Sequence, residues 1–388
     1  MAALALVILS VSTHAFQLDA RQRAARHFAR ASTLAKEHKL SEAEQEYRVG
    51  LELDPTSVAA YNNLGVLYFE TGDFRRSANA FSEAHRLRPG DTDISLNLGL
   101  ALFKAGNCAE AIAPLSAGVA SPQHMTDAHY LLGACYYELK KWQDSIKELE
   151  SAKKARPNND RILFLLFNDY RNVGNRTQSL QAAAQLLKSH PDSPFVYEML
   201  GEAHDAAGQP REAEQEFKQA IAAAPRVPEL HFLLGYLYWR WKHYPEAVAP
   251  LKEETRINPA FAPPYYYLGD IALKQRQPAQ ALSYFQKALR LDPSYAQATL
   301  GAGRAYGQLG QYEKALGFLY AAVEKMPGDP EAHYWLGRIL IHLGRVKEGQ
   351  EELAEVNRIN AARQQQAQDL LNHAAPTDHT ETKGSTVK

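Results

Sequence analysis

No sign of charge dominates this sequence, in which 43 Lys and Arg stand against 44 Asp and Glu. Binding to phosphate backbones or anionic lipid needs clustered cations, so nucleic acid is not an expected partner. After the first ten residues there is no run of about 18 apolar residues, the length that reads as a membrane-spanning helix. Glycine never gathers into GxGxxG or GxxxxGK, which removes the loops that cradle phosphates in nucleotide sites. The 14 histidines make no HExxH and no Cys/His cluster, and no GxSxG elbow accompanies the serines. No catalytic group, cofactor, metal or small-molecule substrate is therefore expected. Cysteine is scarce as well. Cys108 and Cys135 could bridge in an oxidising compartment, but both stand on apolar stripes, where a free thiol behaves as a small hydrophobe.

What the sequence does contain begins with a targeting pattern. Ala2 to Ser10 is almost unbroken apolar sequence, and Thr13, His14 and Ala15 offer a small-x-small cleavage site. Residues 1–15 read as a signal peptide, with Phe16 as the mature N-terminus and a periplasmic or extracellular destination. The usual basic residues before the apolar run are missing. A short apolar anchor is the alternative, and membrane association would then come only through that uncleaved N-terminus or through a partner. No cysteine lies near residue 15, which argues against a lipid-anchored form.

The rest of the chain repeats. Pro55, Pro89, Pro157, Pro191, Pro225, Pro259, Pro293 and Pro327 stand 34 residues apart except for one doubled step, which Pro122 interrupts one residue early. Gly65, Gly99, Gly133, Gly201, Gly235, Gly269, Gly303 and Gly337 form a second ladder of the same period, broken only by Phe167. Small residues form a third at the same period, twelve positions after the glycine place of each unit, from Ala43 and Ser77 to Ala315 and Gly349. Glycine and the small residue after it let two antiparallel helices approach closely. Thr71-Gly72-Asp73, Ala105-Gly106-Asn107 and Leu309-Gly310-Gln311 mark the turn between them. The proline ends the second helix. The apolar spacing of Tyr61, Leu64, Gly65 and Tyr68 is that of an amphipathic helix.

An aromatic residue, Leu-Gly, Tyr, a later Ala and a closing Pro, as in Tyr61, Leu64, Gly65, Tyr68, Phe81, Ala84 and Pro89, resemble the tetratricopeptide repeat (TPR) family. The resemblance implies an all-α fold, a right-handed superhelical solenoid of about ten antiparallel helix-turn-helix repeats. Units begin near residues 24, 58, 92, 126, 160, 194, 228, 262, 296 and 330. After the signal come a short lead-in at 16–23, the repeat array over 24–361, a terminal capping helix over 362–373 and a disordered polar tail at 374–388. The first unit, with His27, Arg30 and Ala31 at normally apolar or glycine positions, reads as an N-terminal cap. In the fifth, Phe167 replaces the glycine and Ala183 a large residue, which reads as a swap of large and small across the helix crossing. His129, His231 and His333 recur at one repeat position and read as core histidines rather than as metal ligands.

The array leaves too little chain on either side for a catalytic domain, so the expected function is a non-catalytic protein–protein interaction scaffold. In the family the first helix of each hairpin lines a concave groove, through the second, fifth, sixth, ninth, twelfth and thirteenth positions of the unit. The resemblance thereby implies that an extended, partly apolar peptide or a partner protein lies along these positions. The alternative is a regulatory or substrate-presenting subunit of a separately encoded enzyme, such as a glycosyltransferase, or of a secretion component. Tyr130 belongs to an apolar strip at the fifth position, which also includes Phe164. Asn63 and Asn97 resemble the start of an asparagine ladder that contacts peptide backbone in some members of the family. Phe232, Tyr236 and Trp239, at i, i+4 and i+7, stand with Tyr266 of the next hairpin as the expected main anchor. Arg240, Asp270 and Lys274 would fix the polar groups of the peptide there.

Overall fold

A computed structural model describes the backbone of residues 2–374 and the side chains of residues 19–369. The cleavage site expected at residue 15 therefore falls where side chains are not described, and the expected tail lies outside the described residues from residue 375 on. Among the described residues the regular structure is helical throughout. The chain divides into two compact units, one up to Ala207 and one from Gly208 on. The first contains α1 (Ala2–Lys36), α2 (Leu40–Leu53), α3 (Val58–Glu70), α4 (Phe74–Leu87), α5 (Thr92–Lys104) and α6 (Cys108–Gly118). It continues with α7 (Met125–Glu138), α8 (Trp142–Ala155), α9 (Asp160–Asn172), α10 (Arg176–Ser189) and α11 (Pro194–Ala206). The second contains α12 (Pro210–Ala223), α13 (Leu230–Arg240), α14 (Tyr244–Ile257), α15 (Ala262–Lys274) and α16 (Pro278–Leu291). It ends with α17 (Ala296–Gln308), α18 (Tyr312–Lys325), α19 (Pro330–His342) and α20 (Val346–Ala374). No helix among the described residues is long and apolar enough to cross a membrane.

Local signals set the helix ends. Ser57, Asn159 and Ser193, each just before a first helix, accept a hydrogen bond from a backbone N–H of its first turn. Every hairpin turn then places one residue in the left-handed region, from His38 and Gly72 to Gly310 and Gly344, with φ between 57° and 80°. There the amide of Asp73 donates to the Tyr68 carbonyl and that of Gln311 to Tyr306, each at 2.9 Å, capping carbonyls the helix leaves orphaned. Glycine suits this turn because it has no Cβ. Lys140, Lys242 and Arg276 adopt the same conformation at a cost of about 1 kcal/mol each.

The glycine ladder has a defined partner. A methyl carbon on Gly65 would lie 2.7 Å from the Phe81 ring, and one on Gly99 would lie 2.5 Å from the Leu115 side chain. Gly269 meets Phe285 in the same way, again at 2.7 Å. The missing side chain thus makes room for the large residue sixteen positions later. The small residue twelve positions later lets the backbones close, and Ser77 and Ser145 there donate to the carbonyls of Gly65 and Gly133 at 2.8 and 2.9 Å. In the fifth hairpin Phe167 is 1 % exposed and Ala183 fully buried within one cluster, so the ring fills from the first helix the space usually filled from the second. Burying such a ring contributes about 2–3 kcal/mol, which an isolated loss of volume on either side would forfeit.

Several polar residues are taken up by the packing. His27, His129 and His333 each face a glutamate nineteen residues later, at 2.6 Å to Glu46, 2.7 Å to Glu148 and 2.6 Å to Glu352. His231 has proline at that distance and contacts the Pro225 carbonyl instead. Cys108 and Cys135 are both buried free thiols. The final helix, α20, runs without a break from the last hairpin, so residues 362–373 are not a separate element. Its side chains from 360 to 369 are exposed, although Arg363 reaches back to the Gly328 carbonyl at 2.7 Å.

One buried carboxyl stands out. Asp169 on α9 is fully buried, its Oδ2 lies 2.5 Å from Ser145 Oγ, and its Oδ1 has no hydrogen-bond partner. Burial pushes its pKa up to about 6, against the lowering effect of the Ser145 hydroxyl. The protonated acid can donate to Ser145 Oγ while Ser145 donates to the Gly133 carbonyl, whereas the ionised form must take the only hydroxyl proton for itself. The folded state therefore binds more protons than the unfolded state between the ordinary aspartate pKa and about 6. By linkage this contribution weakens as pH rises through that window and is constant above it. Asp169→Asn, a mimic of the protonated acid, should gain about 1–3 kcal/mol over the parent at pH 7 in urea denaturation and lose most of that gain at pH 4. An equal difference at both pH values would show that Asp169 does not titrate in the core.

Candidate functional site

Within each unit the first helices of successive hairpins pack on one another, α5 on α7, α7 on α9, α13 on α15 and α15 on α17, more closely than the second helices do. The first helices thus stand side by side in a row within each unit, and the positions expected to line the groove lie along that row. Two stretches of that wall are rich in rings.

In the first unit a cavity of about 500 Å³ opens between α7, α9 and α11. Tyr130 and Tyr137 from α7, Phe164 from α9 and Phe195 from α11 line it, and Ala134 at the ninth position leaves the hollow between them. Phe164 is 36 % exposed and Phe195 50 %, with ring centroids 5.7 Å apart. At the rim His190 Nε2 sits 2.7 Å from Asp160, in the first turn of α9. Phe195 occupies the second position of its unit, which the sequence reading counted as groove-facing without singling this ring out.

In the second unit the singled-out rings come together, and they do so by packing on one another. Phe232 and Tyr236 stack at 5.9 Å, and Tyr236 and Trp239 at 6.0 Å. All three contact Tyr267, the nearest being Trp239 at 4.7 Å. Tyr266 packs on Tyr267 and Tyr295 at 4.9 and 5.3 Å. Burial holds the phenols of Tyr266 and Tyr267 well above the ordinary tyrosine range. Tyr267, the hub, was missed, because the sixth position carries Leu233 in the preceding unit and gave no aromatic pattern.

Asp270 is also part of the framework. It is 4 % exposed, accepts a hydrogen bond from Trp239 Nε1 at 2.8 Å, and lies 3.6 Å from both Lys274 and Arg304. A fully buried Glu254 positions Phe232 from below by accepting from the amides of Glu229 and Phe232 at 2.9 and 3.3 Å. It supplies the cap that Glu229, with φ 76°, does not give α13. Arg240 is exposed, with its guanidinium 5.9 Å from the Trp241 ring centre.

The two asparagines expected to begin a ladder each contact a neighbouring side chain. Asn97 Nδ2 donates to Asn62 Oδ1 at 3.3 Å, so Asn97 is engaged with the fifth position of the preceding unit. Asn63 lies instead against the Tyr47 hydroxyl, in a separate hollow beside Ser32 and Val66.

Paired helices at a fixed 34-residue step define a helical-repeat scaffold of the kind typical of protein–protein interaction. The chain belongs to the tetratricopeptide repeat family: the family's sequence profiles match residues 62–124, 96–160, 198–260 and 266–330, and further repeat profiles match 33–72 and 308–374. No curated protein matches the chain. Among solved structures it resembles MamA from Desulfovibrio magneticus RS-1, at 23 % identity over 44 % of this chain and 97 % of that one, with a TM-score of 0.41. It also resembles YrrB, a TPR protein with an unusual peptide-binding site, at 20 % identity over 46 % of this chain and 93 % of that one, with a TM-score of 0.41. The Cut9–Hcn1 hetero-tetramer of the APC/C matches at 15 % identity over 91 % of this chain and 76 % of that one, with a TM-score of 0.49. Likeness at these values carries no ligand over to this chain.

The hydrogen bond from Trp239 to a buried carboxylate makes that ring a stabilising element as well as a wall residue. Trp239→Ala should lower stability by about 2–4 kcal/mol, since it removes ring packing and leaves Asp270 short of a donor. Trp239→Phe, which keeps most of the ring contacts, should lower it by about 1–2 kcal/mol. Unfolding midpoints within error of the parent for both would place the indole outside the fold's framework.

Proposed function

We propose that this chain is an interaction scaffold that seats an extended, partly apolar peptide segment of a partner protein along its first-helix faces. Its main anchor is the cavity of Tyr130, Phe164 and Phe195. The observation that carries this reading is a cavity of about 500 Å³ walled by two phenyl rings that are 36 % and 50 % exposed. Adjoining exposed rings beside a hollow are a common form of interaction site, and a volume in this range holds one or two apolar side chains. This moves the anchor from the α13 rings, whose faces are engaged with each other and with Tyr267, to the α7–α11 stretch. The α13 rings form a separate, half-exposed wall in the second unit, against which a peptide backbone can lie.

Peptide display on the purified full chain tests the proposal. It should enrich sequences with aromatic or large aliphatic residues. Phe195→Ala, which removes an exposed ring and so spares the fold, should weaken the best of them about five- to thirtyfold. The urea midpoint should stay unchanged. Equal affinity in the parent and the variant would remove the cavity as the anchor.

A further inference from the structure

The first-helix wall of the second unit changes character along its length. At the ninth position of successive units it carries Tyr236, Asp270, Arg304 and Arg338. Asp270 links the aromatic stretch to the cationic one, since it takes the Trp239 N–H and lies 3.6 Å from Arg304. Arg304 also contacts Glu331 at 3.0 Å, and both Arg304 and Arg338 lie over the Trp335 ring, 5.7 and 5.2 Å from its centre.

Arg338 differs from three other arginines at this end of the chain. Arg256, Arg345 and Arg358 each pair with a glutamate three residues away, Glu253, Glu348 and Glu355. Around Arg338 the residues at i−4, i−3 and i+3 are Tyr334, Trp335 and Ile341, so rings stand where a carboxylate would. Its guanidinium rests 5.6 Å from the centre of the Tyr334 ring, which is 42 % exposed, and makes no ion pair with a carboxylate among the described residues. Its Nη1 donates to the Tyr334 hydroxyl at 3.5 Å, which holds the guanidinium beside the rings, and its remaining N–H groups face no carboxylate of the described residues and can donate to one from a ligand. Lys274, Arg304 and Arg338 outnumber Asp270 and Glu331 by one, and the surplus positive charge is Arg338.

We propose that the Arg338–Trp335–Arg304 platform binds an acidic side chain, Asp or Glu, of the peptide that lies along this wall, with Arg338 making the contact. The ligand is then bipartite, apolar against the α13–α15 rings and acidic at α19. Adjacent helix axes are about 8–10 Å apart, so three hairpins span roughly 30 Å, or about nine residues of extended peptide. The proposal rests on the first-helix faces being the binding wall.

Fluorescence anisotropy on the full chain tests it with labelled probes of about nine residues. Each has a Phe-Ser-Trp segment, a Gly-Ser-Gly spacer and a terminal segment of three Glu, three Gln, three Lys or three phosphoserines, made in both chain directions. The Glu probe should bind about five- to tenfold more tightly than the Gln probe in at least one direction, and the Lys probe least. Arg338→Gln should erase the preference for Glu over Gln, as should about 0.5 M salt, because the contact is an exposed ion pair. Arg338 is exposed, so the variant keeps its unfolding midpoint. Equal binding of the Glu and Gln probes, or a preference that survives Arg338→Gln, would overturn the acidic contact while leaving the wall in place. Tighter binding of the phosphoserine probe than of the Glu probe would overturn it in favour of a phosphorylated partner. If no probe bound, the second unit's wall would fall, and the acidic contact with it, while the first-unit cavity would stand on its own test.

Discussion

Everything in this protein depends on how closely the two helices of a hairpin can approach. The approach is set by one volume relation: a glycine on the first helix against a Phe or Leu sixteen residues later on the second, as in Gly65 with Phe81 and Gly133 with Leu149. Interiors pack near crystal density, so neither member of the pair can change size alone. Phe167 with Ala183 shows that the constraint is on the sum and not on the identity, because exchanging large for small preserves a fully packed core. Once that contact is fixed, the small residue at the crossing, the left-handed turn and the closing proline follow as ways of holding two helices at the required distance.

That relation is also why so much of the fold could be read from the sequence. A volume constraint repeated at fixed period leaves ladders of glycine, small residues and proline, and the swap in the fifth hairpin is legible because both of its members break their ladders at once. The capped turns are legible at Gly72, Gly106 and Gly310, and invisible at Lys140, Lys242 and Arg276, where the same left-handed backbone carries an ordinary side chain. The binding wall was legible only as a set of positions. Whether a ring at such a position faces solvent or its neighbour depends on the adjoining helices: Phe195 is left open beside Ala134, while Trp239 is drawn onto Tyr267 and Asp270. Buried polar residues such as Glu254 and Asp169 have no period at all. Their roles come from single tertiary contacts, so no pattern announced them.

Because most core contacts are made by the helix stripes that face inward between hairpins, the opposite stripe of each first helix is freer of packing duty, Trp239 and Asp270 excepted. The two units use this freedom differently. In the first, exposed phenyl rings border a cavity; in the second, a ring cluster gives way to the guanidinium groups of Arg304 and Arg338 beside the Trp335 ring. A wall graded from apolar to cationic would select a partner by the order of residue types along an extended segment, with rings supplying contact area and Arg338 supplying charge.

The central claim is that ligand lies on the first helices, and hydrogen exchange of the full chain, with and without a saturating amount of a bound peptide, tests it most directly. The account predicts that added protection appears in the first helices that form the wall, α7, α9 and α11 in the first unit or α13, α15, α17 and α19 in the second. Protection appearing instead on the second helices, α8, α10, α14, α16 and α18, would contradict it.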